Sequence, residues 1–258
     1  MGRVIVQIYE VQDRDEAEAL IELGVDHIGS VLMADNVSRH DPLAETLAYV
    51  SGSRKKSSLI PLFTDVDMIS RALDLYRPDI VHFCEELTNN GSGKGRDAAF
   101  DGQQRIRDRF PEISIMRSIP IAPSGLAERV PTLEIARLFE PVSDFFLTDT
   151  LLIPDATETE SAQPVKGFVG ITGKTCDWDM AAELVASSAI PVILAGGISP
   201  ENVRDGIDVV KPAGVDSCTL TNAMDSEGRP IRYKKDLNKV KRMVDSVRYC
   251  GTAERAAV

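Results

Sequence analysis

Three histidines and four scattered cysteines leave little with which to hold a transition metal. Cys84, Cys176, Cys218 and Cys250 form no C-x-x-C pair, and no histidine lies near them at metal-ligand spacing. The chain is therefore expected to hold no metal and to carry reduced thiols in a cytoplasmic setting. No apolar run approaches the roughly 18 residues of a membrane span, and the start lacks a charged-then-apolar leader pattern, so no membrane association is expected. Positive charge is in deficit: 29 Lys plus Arg against 40 Asp plus Glu give a net charge of −11. Such a balance argues against a broad nucleic-acid or anionic-lipid surface while still permitting a local pocket for a small anion. No G-x-G-x-x-G follows the first apolar run, and no cofactor is expected. The Gly-, Asn- and Ser-rich stretch Thr88 to Asp97 contains GSGKG without phosphate-loop spacing, so it reads as a surface loop.

What is present is a regular alternation. The β-branched run Val4 to Ile8 reads as a buried strand, and Asp13-Arg14-Asp15-Glu16 as a capping box opening a helix. Further strands are expected at His27 to Leu32, Ser58 to Phe63, Ile80 to Phe83, Ile113 to Arg117, Phe145 to Asp149, Val192 to Ala195 and Gly214 to Cys218. Helices follow at Pro42 to Val50, Val66 to Tyr76, Ala98 to Phe110, Leu126 to Phe139, Trp178 to Ser187, Pro200 to Val210 and Lys235 to Val247. Eight such units in 258 residues predict an α/β fold, a single-domain (β/α)8 TIM barrel over 1–248 with a tail over 249–258. An open doubly wound sheet is the alternative, weakened by the missing dinucleotide fingerprint.

In a barrel the reactive groups lie where strands end. That rule selects Tyr9 and Glu10, Arg39, Asp65, His82 with Cys84 and Glu85, Arg117, Asp149, Gly196 and Gly197, and Cys218 with Thr219. Any one of them could be a solvated polar group at a strand exit. The sharpest local signal is Leu194 to Val203 (LAGGISPENV), where two glycines precede a helix start after the seventh strand. Exposed amides there suit a phosphate, although the glycines could equally serve only a tight turn. The segment Leu151 to Thr175 is too long for a simple connection and is expected on the active-site face.

Gly170 to Trp178 (GITGKTCDW), together with LAGGISPENV, Pro212 to Asp216 and Tyr233 to Leu237, resembles the phosphoribosylanthranilate isomerase family over nearly the whole chain. That family performs an Amadori aldose-to-ketose rearrangement in tryptophan biosynthesis. The resemblance implies Asp149 as general acid, Arg39 as a substrate contact, and Gly173, Gly196, Gly197, Cys218 and Thr219 around a phosphate. It also implies a small phosphorylated metabolite as ligand, and it is compatible with a homodimer.

The departures are specific. The family's first strand ends K-I-C-G, its cysteine being the general base, whereas this chain reads Gln7-Ile8-Tyr9-Glu10. The family's S-S-G after strand eight becomes Cys218-Thr219-Leu220. Tyr9 is a poor base with a phenol pKa near 10, Glu10 should face away by strand alternation, and Cys84 would need a lowered pKa. The expected activity is therefore isomerisation of a phosphorylated sugar derivative with altered substrate or chemistry. The alternative is a non-catalytic barrel that binds a phosphorylated metabolite or a partner protein. A retro-aldol or decarboxylase reaction is a third option, for which the strand ends supply no lysine.

Overall fold

The computed structural model describes residues 2–34, 41–88, 94–153 and 163–253. Arg39, the heart of the Gly- and Asn-rich stretch (89–93), the acidic start of the loop after the sixth strand (154–162) and the tail 254–258 lie outside the described residues.

Eight parallel strands close into a barrel in sequence order: β1 (Ile5–Ile8), β2 (His27–Leu32), β3 (Lys56–Pro61), β4 (Ile80–Phe83), β5 (Ser114–Ile121), β6 (Phe145–Thr150), β7 (Val192–Leu194) and β8 (Gly214–Ser217). The closure is direct, since β8 pairs with β1 from Ile5↔Gly214 to Ile8↔Ser217. The crossovers contain α1 (Arg14–Glu22), α2 (Asp41–Gly52), α3 (Val66–Tyr76), α4 (Lys94–Arg109), α5 (Thr132–Phe139), α6 (Trp178–Ser187) and α7 (Val203–Val210). A hairpin of β9 (Asn222–Met224) and β10 (Pro230–Lys235) then precedes α8 (Leu237–Ala253). The expected (β/α)8 barrel is borne out, and no described helix is long and apolar enough to cross a membrane.

Strand starts are tied by a repeated device. Asp26, Asp79 and Asp144 each stand just before an even-numbered strand and accept the amide of a residue opening the preceding strand. The bonds are Val6 N–H to Asp26 at 3.1 Å, Ser57 N–H to Asp79 at 2.9 Å and Ile115 N–H to Asp144 at 2.7 Å. Amides that would otherwise be orphaned at the barrel's bottom are thereby satisfied.

Several boundaries differ from expectation for local reasons. Pro120 and Arg117 hide the length of β5, which runs on to Ile121. Pro131 and a single 3-10 turn over Ala127–Arg129 delay α5 to Thr132. In LAGGISPENV, Ser199 N–H donates to Asn202 Oδ1 at 2.8 Å, a side-chain turn that competes with helix and delays α7 to Val203. The β9–β10 hairpin was not expected, because PIRYKK is mostly exposed and lacks apolar alternation.

Arg117 does not face the barrel interior. Its fully buried guanidinium lies 4.6 Å from the Phe139 ring centroid and 5.1 Å from that of Phe83. It donates to Gln103 Oε1 at 2.7 Å and Glu85 Oε2 at 2.5 Å. Removing the counter-charge strands a buried cation, so Glu85→Ala should cost about 3–5 kcal/mol in urea denaturation. Replacing both partners (Glu85→Gln with Arg117→Met) should recover most of that loss, and equal losses in the two variants would contradict this account.

Candidate active site

Strand alternation selects the side chains that face into the barrel. Gln7 and Tyr9 point inward from β1, Leu147 and Asp149 from β6, and Asp216 and Cys218 from the β8 exit. Above them opens a pocket at the mouth of the barrel, walled by the strand exits and the loops that follow them. One flank is apolar, with Val31, Ile60, Leu62 and Val169, and the opposite flank is backbone from the loops after β6, β7 and β8.

The loop after β6 builds much of the mouth. It hydrogen-bonds the β4 exit, with Val169 N–H donating to Cys84 O and Glu86 N–H to Gly167 O, both at 2.9 Å. It then passes Asp149 so closely at Gly170 (φ +100°) that any Cβ there would overlap the carboxyl group. Thr150 Oγ1 donates to Lys174 O at 2.7 Å, and the loop backbone from Lys174 to Thr175 rests against Gly197. Gly197 is held from behind by Asn202 Nδ2, which donates to its carbonyl at 2.8 Å. The backbone amides of Gly173, Gly196, Gly197 and Thr219 find no protein partner among the described residues. Unpaired amides lining one pocket, three of them in left-handed turns, offer donors to an anion. Leu220 lies beside Gly173 as part of the pocket wall.

Asp149 lines this pocket. Desolvation raises its carboxyl to about 7, and the single bond from Thr150 N–H, at 3.0 Å, offsets only part of that shift. At neutral pH it can therefore hold a proton to give.

Tyr9 is placed otherwise than a base requires. Its hydroxyl is 2.6 Å from Ser58 Oγ and 2.8 Å from His82 Nδ1, and His82 Nε2 is 2.8 Å from Ser118 Oγ. The ring fits because residue 29 is glycine; a Cβ on β2 there would overlap it. Burial pushes the phenol well above its usual value and the His82 imidazole down to about 3. Both are neutral links of a chain across four strands.

Glu10 breaks strand alternation through a left-handed backbone (φ +65°), the conformation for which a glycine would ordinarily be used. Its carboxylate accepts from Arg232 on β10, Nε at 2.7 Å and Nη2 at 2.5 Å, so the unexpected hairpin covers this corner of the mouth. Burial raises the thiols of Cys84 and Cys218, the reverse of what a thiolate base needs. Asp65 is the N-cap of α3, accepting Met68 N–H at 2.8 Å. The strand-end rule missed Asp216, which sits two residues before Cys218 on the same face; alternation alone could have found it.

Comparison with known proteins agrees with this architecture. A sequence model of the family described as N-(5'phosphoribosyl)anthranilate (PRA) isomerase matches residues 117–246. The N-(5'-phosphoribosyl)anthranilate isomerase of Methanothrix thermoacetophila is 29% identical over 245 residues, covering 95% of this chain and 98% of the relative. Isomerase 1 of Methanosarcina mazei is 30% identical over 191 residues, 71% of this chain and 68% of the relative. Among solved structures, phosphoribosyl anthranilate isomerase from Thermotoga maritima shares the fold with a TM-score of 0.65 at 20% identity, covering 95% of this chain and 99% of that one. Another, in complex with reduced 1-(o-carboxyphenylamino)-1-deoxyribulose 5-phosphate, superposes with a TM-score of 0.63 at 18% identity, with the same coverage. With half of the chain matched by the family model, and with relatives that align from end to end, this protein belongs to the phosphoribosylanthranilate isomerase family.

Proposed function

We propose that the protein catalyses an Amadori-type aldose-to-ketose isomerisation of a phosphorylated sugar amine, N-(5'-phosphoribosyl)anthranilate being the substrate its relatives' names give. One observation carries the reading: Asp149, protonated up to about pH 7, opens onto the same pocket as the free amides of Gly173, Gly196, Gly197 and Thr219. The amides would bind the phosphate, and the apolar flank of Val31, Ile60 and Leu62 suits a flat substituent on the amine.

In this scheme Asp149 gives its proton to the ring oxygen while the carbon 1–oxygen bond breaks, its electron pair going to the oxygen. The amine lone pair closes the carbon–nitrogen double bond. A base then takes the proton from carbon 2, and that pair forms the carbon 1–carbon 2 double bond while the π pair returns to nitrogen. Ketonisation moves the enol proton to carbon 1, so the reaction is redox-neutral overall.

Purified protein mixed with N-(5'-phosphoribosyl)anthranilate should consume it, and the gene should restore growth to a tryptophan auxotroph lacking the isomerase. Absence of turnover together with absence of binding to the reduced product analogue would overturn the proposal.

A further inference from the structure

We propose that Asp216 is the general base of this site, standing in for the thiol that the chain lacks on β1. The inference rests on the isomerase reading. Its geometric basis is the pairing of β8 with β1. Gln7 is the Cα partner of Asp216 and Ile8 that of Ser217, and Tyr9 N–H donates to Ser217 O at 3.3 Å. Asp216 thus faces the barrel interior on the strand adjoining Tyr9, one step below it. It lines the same pocket as Asp149. Tyr9 itself is drawn away toward Ser58 and His82, which leaves the wall beside β8 to the Asp216 carboxyl group.

The hydrogen-bond donors around Asp216 favour charge on that carboxyl. Asp216 Oδ1 accepts from Gln7 Nε2 at 3.1 Å, and Gln7 Oε1 accepts from His27 Nδ1, also at 3.1 Å. Each donor in this relay points toward Asp216. His27, pressed to about 4 by burial, remains a neutral donor at physiological pH. Lys235, whose ammonium is bonded to Cys218 O and Asn222 Oδ1, also favours the Asp216 anion. The other ionisable groups facing it are Asp149 from β6, Tyr9 from β1 and Cys218 at its own strand exit. Asp149 has no such support beyond one backbone amide. Burial raises both carboxyls to about 7, and a charge on Asp149 resists ionisation of Asp216. At neutral pH the pair shares a proton, and we place it on Asp149 because Gln7 donates to Asp216 and Lys235 favours the Asp216 anion. An acid and a base in one pocket are what proton transfer between carbons 1 and 2 requires.

Asp216→Asn keeps the shape and the contact with Gln7. Its kcat on N-(5'-phosphoribosyl)anthranilate should fall at least about 100-fold. Binding of the reduced product analogue should change less than about threefold, and Asp216→Glu should recover part of the rate. Turnover by a folded Asp216→Asn protein at or near the wild-type rate would overturn the assignment. Carbon-13 titration of the aspartate side chains needs no substrate and so separates this proposal from the isomerase reading. Asp216 ionised with Asp149 protonated at pH 7 supports the assignment even if wild type were inert toward this substrate. A proton on Asp216 at pH 7 overturns it even if wild type turns over.

Discussion

Asp149→Asn is expected to lower kcat about a thousand-fold while making the protein more stable above neutral pH. The first effect follows from loss of the proton that would open the sugar ring, a contribution of about 10²–10⁴ for a positioned acid. The second follows from linkage. Desolvation raises the Asp149 carboxyl from 3.8 to about 7, so the folded state keeps a proton that the unfolded chain has released. The stability this provides is fully present below pH 4, and it drains away as pH rises through about 7. An asparagine has no proton to lose. Melting temperatures recorded from pH 4.5 to 8.5 should fall with pH less steeply for Asp149→Asn than for wild type, and the variant should melt higher at pH 8.5. Parallel profiles would mean that the carboxyl is solvated and not held in its protonated form. The wild-type rate should decline above about pH 7 for the same reason.

How much of this was legible in the residues differs between scaffold and site. The eight strands could be read because parallel strands buried on both faces are short apolar runs at regular spacing, of which the β-branched Val4 to Ile8 is the plainest. Asp149 and the Gly196-Gly197 turn followed from their position at strand exits. The function of Glu10 was harder to see. Alternation predicts that it points outward, but a single left-handed residue redirects it into the mouth, and its partner Arg232 comes from a hairpin with no apolar signature. Tyr9 shows the opposite limit. Its type and place suggested a replacement for the base, but the hydroxyl's partners lie on β3 and β4, and no local pattern in the sequence announces a contact between Tyr9, Ser58 and His82. Polar residues inside a barrel are chosen by neighbours far away in the chain, and strand periodicity gives their direction without giving their partners.

Gly197→Ala tests the anion cradle separately from the proton chemistry. Residue 197 has φ +64°, which an alanine adopts at a cost of about 1–2 kcal/mol. Its Cβ would also lie 2.6 Å from Lys174 C and from Thr175 N. These are backbone atoms that no rotamer change can move aside. The segment they belong to is anchored by Thr150 Oγ1 on Lys174 O and by the buried Cys176, so the strain would push the β7 and β6 loops apart. The amides of Gly173 and Gly197, which line one pocket, would then be moved relative to each other. Affinity for the reduced product analogue, measured by calorimetry, should drop about 100-fold, because a cradle of preorganised donors loses most of its value when they diverge. KM should rise accordingly with kcat less affected, the reverse of the Asp149→Asn pattern. A suitable control is Gly52→Ala at the end of α2, where a Cβ meets nothing within 4 Å; it should leave both parameters unchanged. Unaltered analogue binding in Gly197→Ala would show that the phosphate group is held elsewhere, and the free amides of this loop would lose their assigned role.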